Sequence, residues 1–155
     1  MSEKLKLAAT DEDDLAIISA HLQDAVMLVG DMRYNRAEKS MMFVLGRFNW
    51  RDAQIQKGEK PYTRHQSALQ FDRVEAVKSC NIRQDAKAAV LSLLSIGFET
   101  TDAPSGYITL VFSGGGAVRL EVECIEGRLA DLGPLWETTS RPWHEETTTQ
   151  AEGDG

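Results

Sequence analysis

The sequence predicts an α+β fold: a mostly antiparallel sheet of about six to seven strands, a helix on the N-terminal side and a short C-terminal helix. Three observations predict it. Apolar residues recur at helical spacing over residues 11–24 and again over 125–132. Elsewhere they alternate with period two or change parity once within a segment. The strand-like segments also follow one another without helices between them, which calls for antiparallel pairing. The 155 residues suit one domain, and at this size roughly 70% of the unfolded surface can be buried.

A short strand is expected at Lys4–Leu7. The helix signal begins at Thr10, where Thr10-Asp11-Glu12-Asp13 reads as a capping-box variant. Asp11, Glu12, Asp13 and Asp14 fill the first turn, where the helix dipole favours anions. Leu15, Ile18, Leu22 and Ala25 share one face, so the helix should run from Asp11 to Asp24. A strand then runs from Val26 to Tyr34, and Asn35–Lys39 turns the chain into a second strand, Met41–Trp50. Residues 51–66 are polar, contain Gly58 and Pro61, and follow neither period, so they read as a loop.

Leu69 and Phe71 open the next strand, whose parity slips near Asp72-Arg73, as a bulge would make it. A second change of parity separates Leu91 and Leu93 from Leu94, Ile96 and Phe98, around an expected strand at Leu93–Glu99. The clearest signal is a hairpin. Ile108, Leu110 and Phe112 share one face, Ser113–Gly116 turns the chain, and Val118, Leu120 and Val122 alternate with Arg119, Glu121 and Glu123. Ile125, Leu129 and Leu132 are spaced for a short helix, which Gly133-Pro134 would end.

Residues 137–155 hold five acidic residues against Arg141, a net −4 of the chain's −7. With Trp143 as their one large apolar residue, they are expected to form a mostly disordered acidic tail behind a domain at 1–136. Such a charge disfavours general phosphate-backbone binding, so no nucleic-acid role is expected of the molecule as a whole. No apolar run approaches the ~20 residues that cross a bilayer. The opening MSEKLKLAATDEDD lacks the apolar stretch of a signal peptide. A cytoplasmic protein without a membrane segment is expected.

Chemical motifs are sparse. The Gly114–Gly116 run follows a strand, as phosphate loops do, but period-two residues follow it instead of a helix. His21, His65 and His144 show no metal-ligand spacing, and Cys80 and Cys124 are expected to be free thiols. No catalytic residue, cofactor or metal is predicted. One enzyme alternative remains: Cys124, or a His such as His21, working with a carboxylate. Loop 51–66 departs in charge. Arg51, Lys57, Lys60 and Arg64 oppose Asp52 and Glu59, a net +2 flanked by Trp50 and Tyr62. Arg51, Arg64, Trp50 and Tyr62 are therefore the candidate binding residues, suited to an acidic protein segment, a small anionic ligand or a weak local nucleic-acid contact.

Several runs resemble a bacterial family of short proteins known as a domain of unknown function. They are LKLAA (5–9), HLQDA (21–25), VGDM (29–32), RFNW (47–50), LQFDRV (69–74) and GGGAVRLEVEC (114–124). The resemblance covers residues 5–136 and implies no activity, cofactor or catalytic residue. The terminal strand–strand–helix order is also similar to pleckstrin-homology-like barrels, a likeness of fold alone. The leading expectation is a small noncatalytic binding or adaptor module with an unidentified partner.

Overall fold

The computed structural model describes residues 5–48 and 64–134. Among these are one α-helix, α1 (Glu12–His21), and ten strands: β1 (Lys6–Ala9), β2 (Val26–Leu28), β3 (Met32–Asn35), β4 (Ser40–Phe48), β5 (Arg64–Phe71), β6 (Val74–Cys80), β7 (Val90–Thr100), β8 (Gly106–Phe112), β9 (Ala117–Val122) and β10 (Gly127–Pro134). Every pairing is antiparallel. The α+β class holds, with more strands than the expected six to seven. Their order is β1-β10-β5-β4-β2-β7-β8-β9-β6, and β3 branches off as a further partner of β4.

The helix starts and stops for local reasons. Asp11 rather than Thr10 is its N-cap, accepting a hydrogen bond from the Asp14 N–H at 2.8 Å. Asp14 reaches back to accept from the Thr10 N–H at 3.1 Å, so the capping arrangement sits one residue later than the sequence suggests and its return bond goes to the residue before the cap. The helix ends at His21 instead of Asp24. Asp24 turns left-handed, at φ 69°, and its N–H goes to the Leu93 carbonyl at 2.8 Å. Leu15 and Ile18 are buried, with Leu22 behind them.

The β7 strand joins the two limbs of the sheet. Its first residues pair with β2 and the rest with β8, with a register shift between Leu93 and Ser95. Leu94 is the extra residue. This bulge explains the change of parity: Leu93 and Ile96 are both buried, while Leu94 is exposed. Ser19 of α1 accepts from the Ile96 N–H at 2.9 Å, tying the helix to the bulge. The expected hairpin forms as β8 and β9, with Leu110 opposite Val118 and Ile108 opposite Leu120. Gly114 and Gly115 turn it at φ 84° and 92°. One core joins both limbs, from Phe43, Leu69 and Phe71 to Leu110, Phe112 and Leu120.

Four expectations are corrected. The strand read over Val26–Tyr34 is two strands, because a 3₁₀ turn at Val29–Asp31 separates β2 from β3. The slip near Asp72-Arg73 is a chain corner, with Arg73 at φ 59°, and the bulge falls at Glu75. Arg64, His65 and Gln66 belong to β5 rather than to the loop.

The fourth correction is the C-terminal helix, whose residues 127–134 form β10 between β1 and β5. Its alternation was concealed because the buried positions are Gly127, Leu129 and Asp131, only one of them apolar. The pleckstrin-homology-like reading loses the helix it rested on.

Each of the two concealing residues has a structural reason. A Cβ on Gly127 would lie 2.6 Å from the Phe71 ring. Among its partners, buried Asp131 accepts from the Ser67 hydroxyl at 2.6 Å and from the Leu5 N–H at 3.0 Å, fastening β1 and β5 to β10. Gly127→Ala should therefore destabilise the fold by about 1–3 kcal/mol through overpacking. A neutral result in urea unfolding would show that the Phe71 ring does not cover this position.

Candidate functional site

Among the described residues three strands have a neighbour on one side only: β1, held by β10, and, facing each other, β3, held by β4, and β6, held by β9. A cleft of about 260 Å³ lies between β3 and β6. Met32 and Tyr34 form the β3 wall, and Val77 and Ser79 the β6 wall. Each wall presents residues two apart, the spacing of one strand face. Met41 and Val118, both core residues, form the floor, and Gln84 stands at the rim. There its side-chain amide donates to the Ser79 hydroxyl at 3.0 Å. The Tyr34 hydroxyl closes one end, donating to the Val74 carbonyl at 2.7 Å. Beside it the Val74 N–H donates to the Lys39 carbonyl at 2.8 Å.

The family model described as "Protein of unknown function (DUF2948)" matches residues 5–144. The chain belongs to the DUF2948 family. No curated protein and no solved structure gives a match. The DUF2948 match runs eight residues past the body expected from sequence, as far as His144.

An ion network borders the closed end of the cleft. Lys39 Nζ lies 3.2 Å from Glu75 and 3.9 Å from Glu123. Arg73 contacts Glu123 at 3.8 Å and Glu126 at 2.9 Å. The hydrogen bond that the Glu123 carboxyl donates to Glu75 raises the Glu123 pKa above the usual carboxyl range, aided by the repulsion of the Glu75 charge. The same bond, with Lys39, lowers that of Glu75. All these groups are bathed in solvent, so they form a surface clamp on the 72–75 corner rather than an enclosed acid–base pair.

The signs of the two shifts oppose each other. Glu123 binds its proton more tightly in the folded chain, so its contribution is present at low pH and lost as pH rises through the raised value. Glu75 contributes stability above its ordinary range, lost as pH falls. Glu123→Gln keeps a donor for Glu75 and removes the repulsion. Its melting temperature should exceed that of wild type near neutral pH, and the gap should close as pH falls into the carboxyl range. A gap independent of pH would contradict the shared proton.

The other candidate residues in this DUF2948 chain lie apart. Arg64 opens β5 opposite Phe48. Trp50, Arg51 and Tyr62 fall outside the described residues. Along β4, Phe48 is seven residues from Met41, about 23 Å from the cleft floor. Cys124 follows β9, whereas exposed His21 ends α1, whose packing is against β7 and β1. Cys80 and Cys124 are free thiols. Cys80 pairs with Ala117, and Val122, five residues on, is already about 17 Å away. Among the described residues, no group of three His, Cys, Asp or Glu could hold a metal, and no helix is long and apolar enough to cross a membrane.

The sequence reading missed the cleft. Met32 and Tyr34 alternate correctly within their strand, but nothing local marks that strand as one-sided. The available signal was Gly30 in Val-Gly-Asp-Met, within the 3₁₀ turn, where its N–H donates to the Lys87 carbonyl at 2.9 Å.

Proposed function

We propose that the DUF2948 domain is a noncatalytic binding module, and that the cleft between β3 and β6 receives an extended apolar segment of a partner protein. One observation carries the reading: two one-sided strands flank a cleft lined mainly by Met, Val and Tyr. Free strand edges recruit extended chains through backbone hydrogen bonds, and pockets beside them select side chains. Methionine suits such a floor because its flexible thioether adapts to different guests. At about 260 Å³ the cleft lies below the range of about 300–1,000 Å³ typical of small-molecule pockets, and fits one or two anchoring side chains. A cytoplasmic setting is part of the reading, in keeping with two free thiols.

The test is selection of displayed random peptides on the full chain, repeated on Ser79→Arg. Ser79 is exposed at the cleft wall, so the variant should fold normally while blocking the site. Peptides with an apolar anchor should be enriched on wild type and lost on the variant. Equal recovery on both would overturn the assignment.

The stretch 51–66, which runs into the start of β5, supports a second reading, on its net +2 charge within a body that is otherwise acidic. Arg51 and Arg64, with Trp50 and Tyr62, would hold an acidic segment or a small anion. Arg51→Glu combined with Arg64→Glu should then abolish capture of an acidic peptide without lowering the melting temperature. Unchanged capture would discard this reading.

A further inference from the structure

The outward face of the β6–β9–β8 limb carries a second feature, which shares only Val77 with the lining of the cleft. Lys78 and Arg119 are direct cross-strand partners. Like charges so placed destabilise a sheet. Elsewhere the fold gives Lys39, Arg73, Arg83 and Arg128 carboxylate partners. Among the described residues neither Lys78 nor Arg119 has an ion pair. Arg119 instead lies over the Tyr107 ring, its guanidinium carbon 4.4 Å from the ring centre. Stacking holds the planar fork in place while its N–H donors remain without a carboxylate. Beside these side chains is a cleft of about 110 Å³, lined by Ala76, Val77, Lys78, Tyr107, Arg119 and Glu121.

We propose that Lys78 and Arg119 form a binding site for a phosphate group. Two adjacent cations match its charge, and a preset guanidinium fork can take two of its oxygens while the ammonium takes a third. The size of the cleft admits a headgroup rather than a large ligand. Glu121 decides what carries the phosphate. It lies two residues beyond Arg119 on the same strand face, opposite Tyr107. Its carboxylate repels a bare phosphate dianion and favours an ester whose carrier offers an amine. The phosphate therefore comes from a small amino-phosphate ester in preference to the free ion.

Calorimetric titration of the full chain with inorganic phosphate and with phosphoethanolamine separates the two sources. Wild type should bind phosphoethanolamine more tightly. Lys78→Gln with Arg119→Gln should weaken both ligands at least about tenfold, with a melting temperature equal to or above that of wild type because the repulsion is gone. Glu121→Gln should bind inorganic phosphate more tightly and lose the preference for the amine. Absence of saturable binding by wild type, or equal affinities in wild type and the double variant, would overturn the site. Unchanged selectivity in Glu121→Gln would overturn the amino-phosphate assignment.

Discussion

Phe71→Ala should lower the stability of the domain by about 3–5 kcal/mol. Phe71 is fully buried at the end of β5, opposite Met41 on one side and Gly127 on the other. Its ring covers the position where Gly127 has no side chain. Truncation leaves a cavity between strands whose ladders hold them apart, so the walls cannot close over it. Urea unfolding measures the loss. A loss below about 1 kcal/mol would place the ring outside the core. The two residues should also be coupled: Gly127→Ala should cost less in the Phe71→Ala background than alone, because its methyl group then fills part of the cavity.

Leu120→Ala should cost about 2–5 kcal/mol. Leu120 is fully buried in the middle of β9, with Ile108 of β8 and Val77 of β6 as its cross-strand partners. Val77 also lines the cleft. Loss of the leucine therefore removes support from the β6 wall as well as from the core. The variant should bind a cleft-directed peptide more weakly even under conditions where it remains folded. A loss under about 1 kcal/mol in urea unfolding would contradict this packing.

The most legible parts of the fold were those whose buried face is wholly apolar. Ile108, Leu110, Phe112, Val118, Leu120 and Val122 alternate without interruption, and all six are buried in β8 and β9. The parity change between Leu93 and Leu94 likewise registered a real bulge. Legibility failed where an inward position is not apolar. Gly127 makes room for Phe71, and Asp131 is held by Ser67 and Leu5, so β10 presented helical spacing to a reading based on hydrophobic residues alone. The candidate cleft was illegible for a different reason. Its walls come from residues some forty apart in the chain, as the bond from Tyr34 to Val74 shows. No local pattern encodes which strand edges remain unpaired, since that depends on the order of strands in the whole sheet.

The methionines give the most direct test of the cleft as the binding site. The chain contains Met1, Met27, Met32, Met41 and Met42. Met32 and Met41 line the cleft, Met27 lies in the core on β2, and Met42 is exposed on β4. With ¹³C-labelled methionine methyls, a display-selected peptide should be titrated into the full chain and followed by NMR. The account predicts that the Met32 and Met41 methyl signals shift in proportion to binding while those of Met27 and Met42 stay in place. A peptide that binds while Met32 and Met41 remain unmoved would contradict it.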